Sequence, residues 1–291
     1  MKFLVTGSSG LVGNQIVKDL SQSTNQVYSC YNDAKPEYGI PTLMNLENGE
    51  SITRTIEKTK PDVIIHLAAM TNVDLCETEK ELALKINAKA TEMIAKESAK
   101  HQAFLLYLST DYVFDGESGM KKENDITNPV DYYGKSKLDG EKALDDMASA
   151  WCIARTSTPF GLHKTKKSFP LFVAENLKAK KQVTIVTDQF TSPTYVPNLS
   201  KMLIEISIRQ ITGIIHAAGA TRLSRYDMAS LVADKLHLDQ DLIKPITMKE
   251  MNWIAKRPKD SSLDVSKATQ ILNEKPMKLE LALDLFLNEL K

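Results

Sequence analysis

Short apolar runs alternate with longer amphipathic stretches through the first half of the chain. Runs of strand length centre on Phe3, Val27, Val63, Leu105 and Ile153, and stretches with helical spacing follow Gly10, Ser51, Glu79 and Tyr132. This β/α alternation predicts an α/β fold built on a doubly wound parallel sheet. After Arg155 the rhythm loosens into Thr158-Pro159-Phe160-Gly161, a lysine-rich loop, a helix from Ser168 and an isolated strand Gly213-Ile214-Ile215-His216. These pieces read as a smaller C-terminal substrate-binding lobe, interleaved with the last strands of the sheet. The expected division is a dinucleotide-binding domain at 1–157 and a substrate-binding part at 158–291. The chain has no internal repeats and no low-complexity segments.

Two motifs bring chemistry to this frame. The first strand runs directly into Gly7-Ser8-Ser9-Gly10-Leu11-Val12-Gly13 and then an amphipathic segment, a strand, glycine turn and helix in succession. A pyrophosphate must approach bare N–H groups at a helix N-terminus, and side chains at such glycines would block it. The second motif is Tyr133-Gly134-Lys135-Ser136-Lys137, which places a phenol and an ammonium on one face of a helix. The ammonium is expected to favour the phenolate and to draw the phenol towards neutral pH, where it can trade protons.

Composition narrows the partners. Among 291 residues Lys+Arg and Asp+Glu both number 37, a formal net charge of +0, so no global field recruits nucleic acid or an anionic membrane. The apolar start is only strand length and lacks the regions of a signal peptide, and no later run is long enough to span a bilayer. A cytoplasmic protein with small-molecule partners is expected. Cys30, Cys76 and Cys152 are well separated and lack metal-ligand spacing, so buried thiols are expected and no metal site. His66, after Val63-Ile64-Ile65, reads as a strand-end residue.

With Leu108-Ser109-Thr110-Asp111 at the end of a further apolar run, these motifs resemble the extended short-chain dehydrogenase/reductase family. Ser109-Thr110-Asp111-Tyr112-Val113-Phe114-Asp115-Gly116 and Asp188-Gln189-Phe190-Thr191-Ser192-Pro193-Thr194 are similar to its dTDP-4-dehydrorhamnose reductase branch. Arg257-Pro258-Lys259-Asp260-Ser261-Ser262-Leu263-Asp264 shares that similarity, which spans nearly the whole chain. The resemblance implies a Rossmann-type sheet and NADP or NAD as cofactor. It implies cofactor contacts from Gly7, Ser9, Gly10, Leu11, Val12 and Gly13 at the pyrophosphate, and from Ala68 and Ala69 on the adenosine side. Asn32 stands at the end of the second strand, and Lys137, beside Tyr133, bonds the nicotinamide ribose. Asp33 comes slightly late for a ribose-binding acid and Lys35 follows closely, which leans towards NADPH while allowing both cofactors.

The implied reaction is reduction of the 4-keto group of a nucleotide-linked 6-deoxy sugar, dTDP-4-dehydrorhamnose to dTDP-rhamnose. In it Tyr133 is the acid, Lys137 its partner, and Thr110 a hydrogen-bonding group on the same oxygen. Related 4,6-dehydratases carry a glutamate where this chain has Tyr112, which cannot abstract a carbon-bound proton. Gln189, Pro193 and Thr194 match the family's substrate motif. Asp111 bonds a sugar hydroxyl or caps a loop. Arg257 clamps a diphosphate or forms a surface ion pair, and Asn87 is a polar group near the active site or an ordinary helix residue. His163-Lys164-Thr165-Lys166-Lys167 reads as a solvated face, and Trp151 and Trp253 as packing aromatics. Some family members bridge a dimer through Mg²⁺ with a glutamate where this chain has Gln15, so no structural magnesium is expected, while a homodimer is possible. Two other readings share the fold: a non-catalytic NADP-binding regulator resembling the regulatory subunit of methionine adenosyltransferase, and a sugar-nucleotide epimerase.

Overall fold

A computed structural model describes residues 1–290. Seven strands form one sheet: β1 (Lys2–Thr6), β2 (Gln26–Tyr31), β3 (Ile40–Leu43), β4 (Val63–His66), β5 (Phe104–Thr110), β6 (Trp151–Thr156) and the strand Gly213–His216. Their spatial order, from one edge, is Gly213–His216, β6, β5, β4, β1, β2, β3, and every neighbouring pair is parallel. Strand order reverses between β1 and β4, which is where an open α/β sheet leaves a crevice at its carboxyl edge. A parallel sheet is covered on both faces, so its strands read as unbroken apolar runs. Val63, Ile64, Ile65 and His66 of β4 are accordingly all buried.

Helix α1 (Leu11–Ser21) and the helix Val196–Arg209 cover one face, with Ile16, Val17, Leu199 and Leu203 packed on Phe3, Val5 and Ile65. On the other face α2 (Gly49–Thr59) and the helices Ala90–Lys100 and Tyr132–Met147 bury Ile52, Ile56, Ile94 and Leu144 against Leu4, Ile64 and Leu105. A separate apolar cluster holds Phe160, Val173, Leu177, Val232, Leu283 and Phe286. It joins the helices Phe169–Lys178, Arg225–Lys235 and Leu279–Asn288 to the parallel pair Val183–Val186 and Ile243–Ile246. Because Gly213–His216 returns to the sheet after this cluster has begun, the chain passes between the two bodies more than once. We propose that the dinucleotide-binding part comprises residues 1–157 and that the substrate part starts at residue 158.

β3 escapes the alternation rule. Three of its four residues are exposed and Pro41 sits within it, as an edge strand tolerates. The region after Glu79 is also less regular than a single long helix, since a π-helical turn, Lys85–Lys89, interrupts it and carries Asn87.

A tight backbone approach lies where β1 meets α1. Gly7 adopts φ +66°, and a Cβ on Gly13 would stand 2.1 Å from the Gly7 carbonyl oxygen. Gly13→Ala is therefore expected to lower stability by about 1–3 kcal/mol through forced backbone displacement. Urea denaturation checks this, and an unchanged midpoint would show that the turn has room to relax.

Candidate active site

A cavity of about 860 Å³ lies across the carboxyl ends of β1, β4, β5 and β6. The glycine turn forms one wall, with Gly7, Ser9, Gly10, Leu11, Val12 and Gly13 all facing it. A Cβ on Gly7 would meet the Ala68 nitrogen at 2.8 Å, so only glycine lets the turn sit against the loop after β4. Thr6 fixes that loop, its hydroxyl oxygen accepting from the N–H groups of Leu67 and Ala68 at 3.1 Å each. Gly10 caps α1 without a side-chain hydrogen bond. The first N–H groups of the helix therefore open towards the cavity, a donor set that fits a pyrophosphate. Ala68, Ala69, Asn32 and Asp33 line the same space, whereas Lys35 does not.

The opposite wall is carried by the helix Tyr132–Met147 and the end of β5. Asp131 starts the helix by accepting the Gly134 N–H at 2.8 Å. Burial pushes its carboxyl up to about 6, and its second oxygen is buried without a partner. Lys137 is 2% exposed; its Nζ donates to the Leu108 carbonyl at 2.8 Å and sits 4.0 Å from the centre of the Tyr107 ring. Asn87 ties this helix to the loop after β4. Its Oδ1 accepts the Met70 N–H at 2.8 Å, and its Nδ2 donates to the Met70 carbonyl at 3.0 Å and to Ser136 Oγ at 2.9 Å.

Thr110, Tyr133 and Lys137 all line the cavity. The electrostatics of the pair differ from the expectation that the ammonium lowers the phenol. Burial pushes the Tyr133 phenol above its ordinary value, and a hydrogen bond with Thr110 opposes the rise. The phenol's own desolvation is the largest cause, and Lys137, desolvated as well, has its ammonium brought down to about 7 with Glu141 opposing. Thr110 donates to Asp111 Oδ1 at 3.0 Å, and Asp111 Oδ2 accepts from Ser157 at 2.7 Å and Ser261 at 2.6 Å. Asp111 thus reaches the cavity with its carboxylate already engaged, its pKa raised by burial against those three hydrogen bonds.

The other expected substrate residues stand behind the cavity wall rather than in it. Gln189 and Thr194 are buried, the Thr194 hydroxyl donating to the Ser157 carbonyl at 2.7 Å, and Pro193 presses its carbonyl against Gly219. Arg257 pairs with Asp74 at 3.0 Å, donates to the Ala255 carbonyl at 3.1 Å and lies 5.4 Å from the Trp253 ring, outside the cavity lining. The 163–167 segment does more than meet solvent. His163 Nε2 lies 3.1 Å from the Ser9 carbonyl, Lys164 pairs with Glu37 at 2.6 Å, and Thr165 and Lys166 line the cavity. Arg225 also lines it, a contact that no motif in the sequence signalled.

The remaining expectations concern inert groups. His66 ends β4 between Thr6 at 2.7 Å and Thr91 at 3.0 Å, and burial lowers it to about 3, so it is neutral. The three thiols are buried, Cys30 and Cys152 being pushed up to about 12. Gln15 spends its amide on Asp19 at 2.8 Å. Among the described residues, no helix is long and apolar enough to cross a membrane.

A parallel dinucleotide-type sheet with Thr110, Tyr133 and Lys137 facing an open glycine turn defines the extended short-chain dehydrogenase/reductase class. The family model described as RmlD substrate binding domain matches residues 1–291. The chain belongs to this family. It is 32% identical over 276 residues to methionine adenosyltransferase 2 subunit beta of Xenopus tropicalis, covering 92% of this chain and 81% of that one. To dTDP-4-dehydrorhamnose reductase of Aggregatibacter actinomycetemcomitans it is 32% identical over 297 residues, covering 97% of each. The crystal structure of dTDP-4-dehydrorhamnose reductase from Bacillus anthracis in complex with NADP superposes with a TM-score of 0.89 at 27% identity, over 99% of both chains.

Lys137 gives the site a pH signature. An unfolded chain holds this proton to an ordinary 10.5, whereas the folded protein releases it near 7. Between those values the unfolded state binds more protons, so this residue makes stability rise with pH. Lys137→Met should therefore raise the melting temperature relative to wild type most below about pH 7, with the difference shrinking towards pH 10.5. Thermal melts across that range provide the check; a difference that does not vary with pH would mean that the ammonium is not desolvated.

Proposed function

We propose that this chain reduces the 4-keto group of a nucleotide-linked 6-deoxy sugar, dTDP-4-dehydrorhamnose to dTDP-rhamnose, with NADPH or NADH. The observation that carries this reading is the meeting of Thr110, Tyr133 and Lys137 in one cavity with a side-chain-free glycine turn. The reductase relatives and the NADP complex of one of them support both the reaction and the choice of NADP. When bound, the dihydronicotinamide supplies the hydride. Gly7, Ser9, Gly10, Leu11, Val12 and Gly13 hold its pyrophosphate, Ala68, Ala69 and Asn32 its adenosine end, and Lys137 its ribose.

Tyr133 gives its proton to the alkoxide that develops at the sugar carbon. A phenol held above its ordinary pKa stays protonated through the neutral range, so it is loaded as a donor before the reaction begins. Thr110, whose hydroxyl proton goes to Asp111 in this structure, turns that proton to the same substrate oxygen when the keto sugar binds. Lys137 holds its proton near neutrality and adjusts the charge beside the phenol. Gln189, Pro193 and Thr194 support the substrate side from behind, and Asp111 fixes Thr110 rather than spending free acceptors on a sugar. Tyr112 is half-buried on the cavity wall, and desolvation pushes its phenol up to about 12, which disfavours the carbon-proton abstraction of a dehydratase.

The similarity to methionine adenosyltransferase 2 subunit beta favours one second reading, a regulator that binds NADP and a synthetase partner. Co-purification with a synthetase and no cofactor oxidation would select it. A homodimer and a cytoplasmic location belong to the first reading, and sedimentation of the purified chain tests the dimer.

General acid catalysis of this kind contributes roughly a hundred- to ten-thousandfold, so Tyr133→Phe should lower kcat on that scale and leave the NADP dissociation constant unchanged. Steady-state assay beside a cofactor titration measures both. Wild-type turnover in the variant would remove Tyr133 from the proton's path.

A further inference from the structure

Arg225 is the one strong cation set into the substrate side of the cavity by rigid structure. It is the first residue of the helix Arg225–Lys235, whose start is fixed by a capping box in which Ser224 and Asp227 bond each other's backbone N–H groups. Its own N–H donates to the Gln189 carbonyl at 3.0 Å, so the family's substrate motif acts here by holding this arginine. The guanidinium lies 5.1 Å from the centre of the Phe169 ring. Its single hydrogen bond runs from Nη2 to Thr158 Oγ1 at a long 3.4 Å.

A guanidinium carries five N–H donors in a planar fork. Among the described residues no carboxylate forms an ion pair with Arg225, and Nε and Nη1, which have no partner, are reachable from the cavity. The contrast with other arginines is direct. Arg155 is closed by Glu141, Arg222 by Asp260 and Arg257 by Asp74. Asp111 lies close enough to favour the charged guanidinium and offsets part of its desolvation, but takes none of its donors, so the remaining N–H groups are left for a ligand.

Position separates this cation from the cofactor's pyrophosphate. Thr158 follows β6, whereas the glycine turn from Gly7 follows β1, and the sheet places three strand spacings between them. At about 4.8 Å per spacing that is roughly 14 Å. Tyr112, close to Arg225, lines the same cavity.

We propose that Arg225 is the specificity-determining residue that takes an oxyanion of the substrate, with its fork bonding two oxygens while the keto sugar rests against Tyr133. The inference rests on the reductase reading for the identity of the substrate, and assigns to Arg225 the clamp that the sequence suggested for Arg257. The oxyanion is a phosphate of the nucleoside diphosphate, since a 6-deoxy keto sugar carries no other.

The test is equilibrium binding to protein saturated with NADP+, which fills the cofactor's own pyrophosphate site. Titrating dTDP and inorganic pyrophosphate, Arg225→Gln should weaken both by roughly ten- to a hundredfold, as loss of a charge-assisted bidentate contact requires. Arg225→Lys, which keeps the charge and loses the fork, should fall between wild type and Arg225→Gln. The NADP+ dissociation constant and the melting temperature of the NADP+ complex are read alongside as controls. Equal binding of all these probes by wild type and Arg225→Gln overturns the proposal. None of these readouts needs turnover, so absence of reductase activity would leave the result standing, and an unaffected Arg225→Gln would leave the reductase reading intact.

Discussion

The site depends on how closely the helix Tyr132–Met147 approaches β5 and its neighbours. A Cβ on Gly134 would lie 2.1 Å from the Tyr112 carbonyl oxygen, and one on Gly140 would lie 2.5 Å from the Tyr107 hydroxyl and 2.6 Å from the Asn87 carbonyl oxygen. Two glycines in this helix permit a contact that any other residue would hold apart. The approach brings Lys137 under the Leu108 carbonyl and over the Tyr107 ring, stripping water from its ammonium, and it seats Tyr133 within reach of Thr110. Desolvation then sets both pKa values, upward for the phenol and downward for the amine, which is the direction burial must drive each.

A buried polar network keeps that approach in register. Arg155 at the end of β6 grips Glu141 with both its Nε, at 3.0 Å, and its Nη2, at 2.7 Å, and Ser109 at the end of β5 donates to the same carboxylate at 2.5 Å. Two neighbouring strand ends are thereby bonded to the helix one turn beyond Lys137. A buried pair of this sort returns little net stability against its desolvation, yet removing one partner strands the other, so its effect is to fix one arrangement. Asn87 does the same on the cofactor side by joining Met70 to Ser136.

Much of this was readable in the sequence because it rests on local rules. Strand-length apolar runs, helical spacing and the glycine turn are periodicities or backbone requirements, and each has its place in the sheet. β3 was not readable, since an exposed edge strand with a proline lacks the apolar run that marks a buried one. Arg225 was silent for a different reason: its meaning comes from Phe169, Thr158 and Gln189, brought to it by tertiary packing. Arg257 shows the converse, because a sequence match cannot reveal that Asp74, far away in the chain, has already claimed the guanidinium. Spacing could put Tyr133 and Lys137 on one helical face, but the sign of the phenol's shift depends on burial that spacing does not report.

The most direct test of the account is the fate of the hydride. NADPH carrying deuterium at the reactive position of the nicotinamide is supplied with dTDP-4-dehydrorhamnose, and the product sugar is examined by mass spectrometry and NMR. The account predicts one deuterium on the former carbonyl carbon and stoichiometric NADP+. Tight binding of NADPH with no deuterium in the sugar would contradict it.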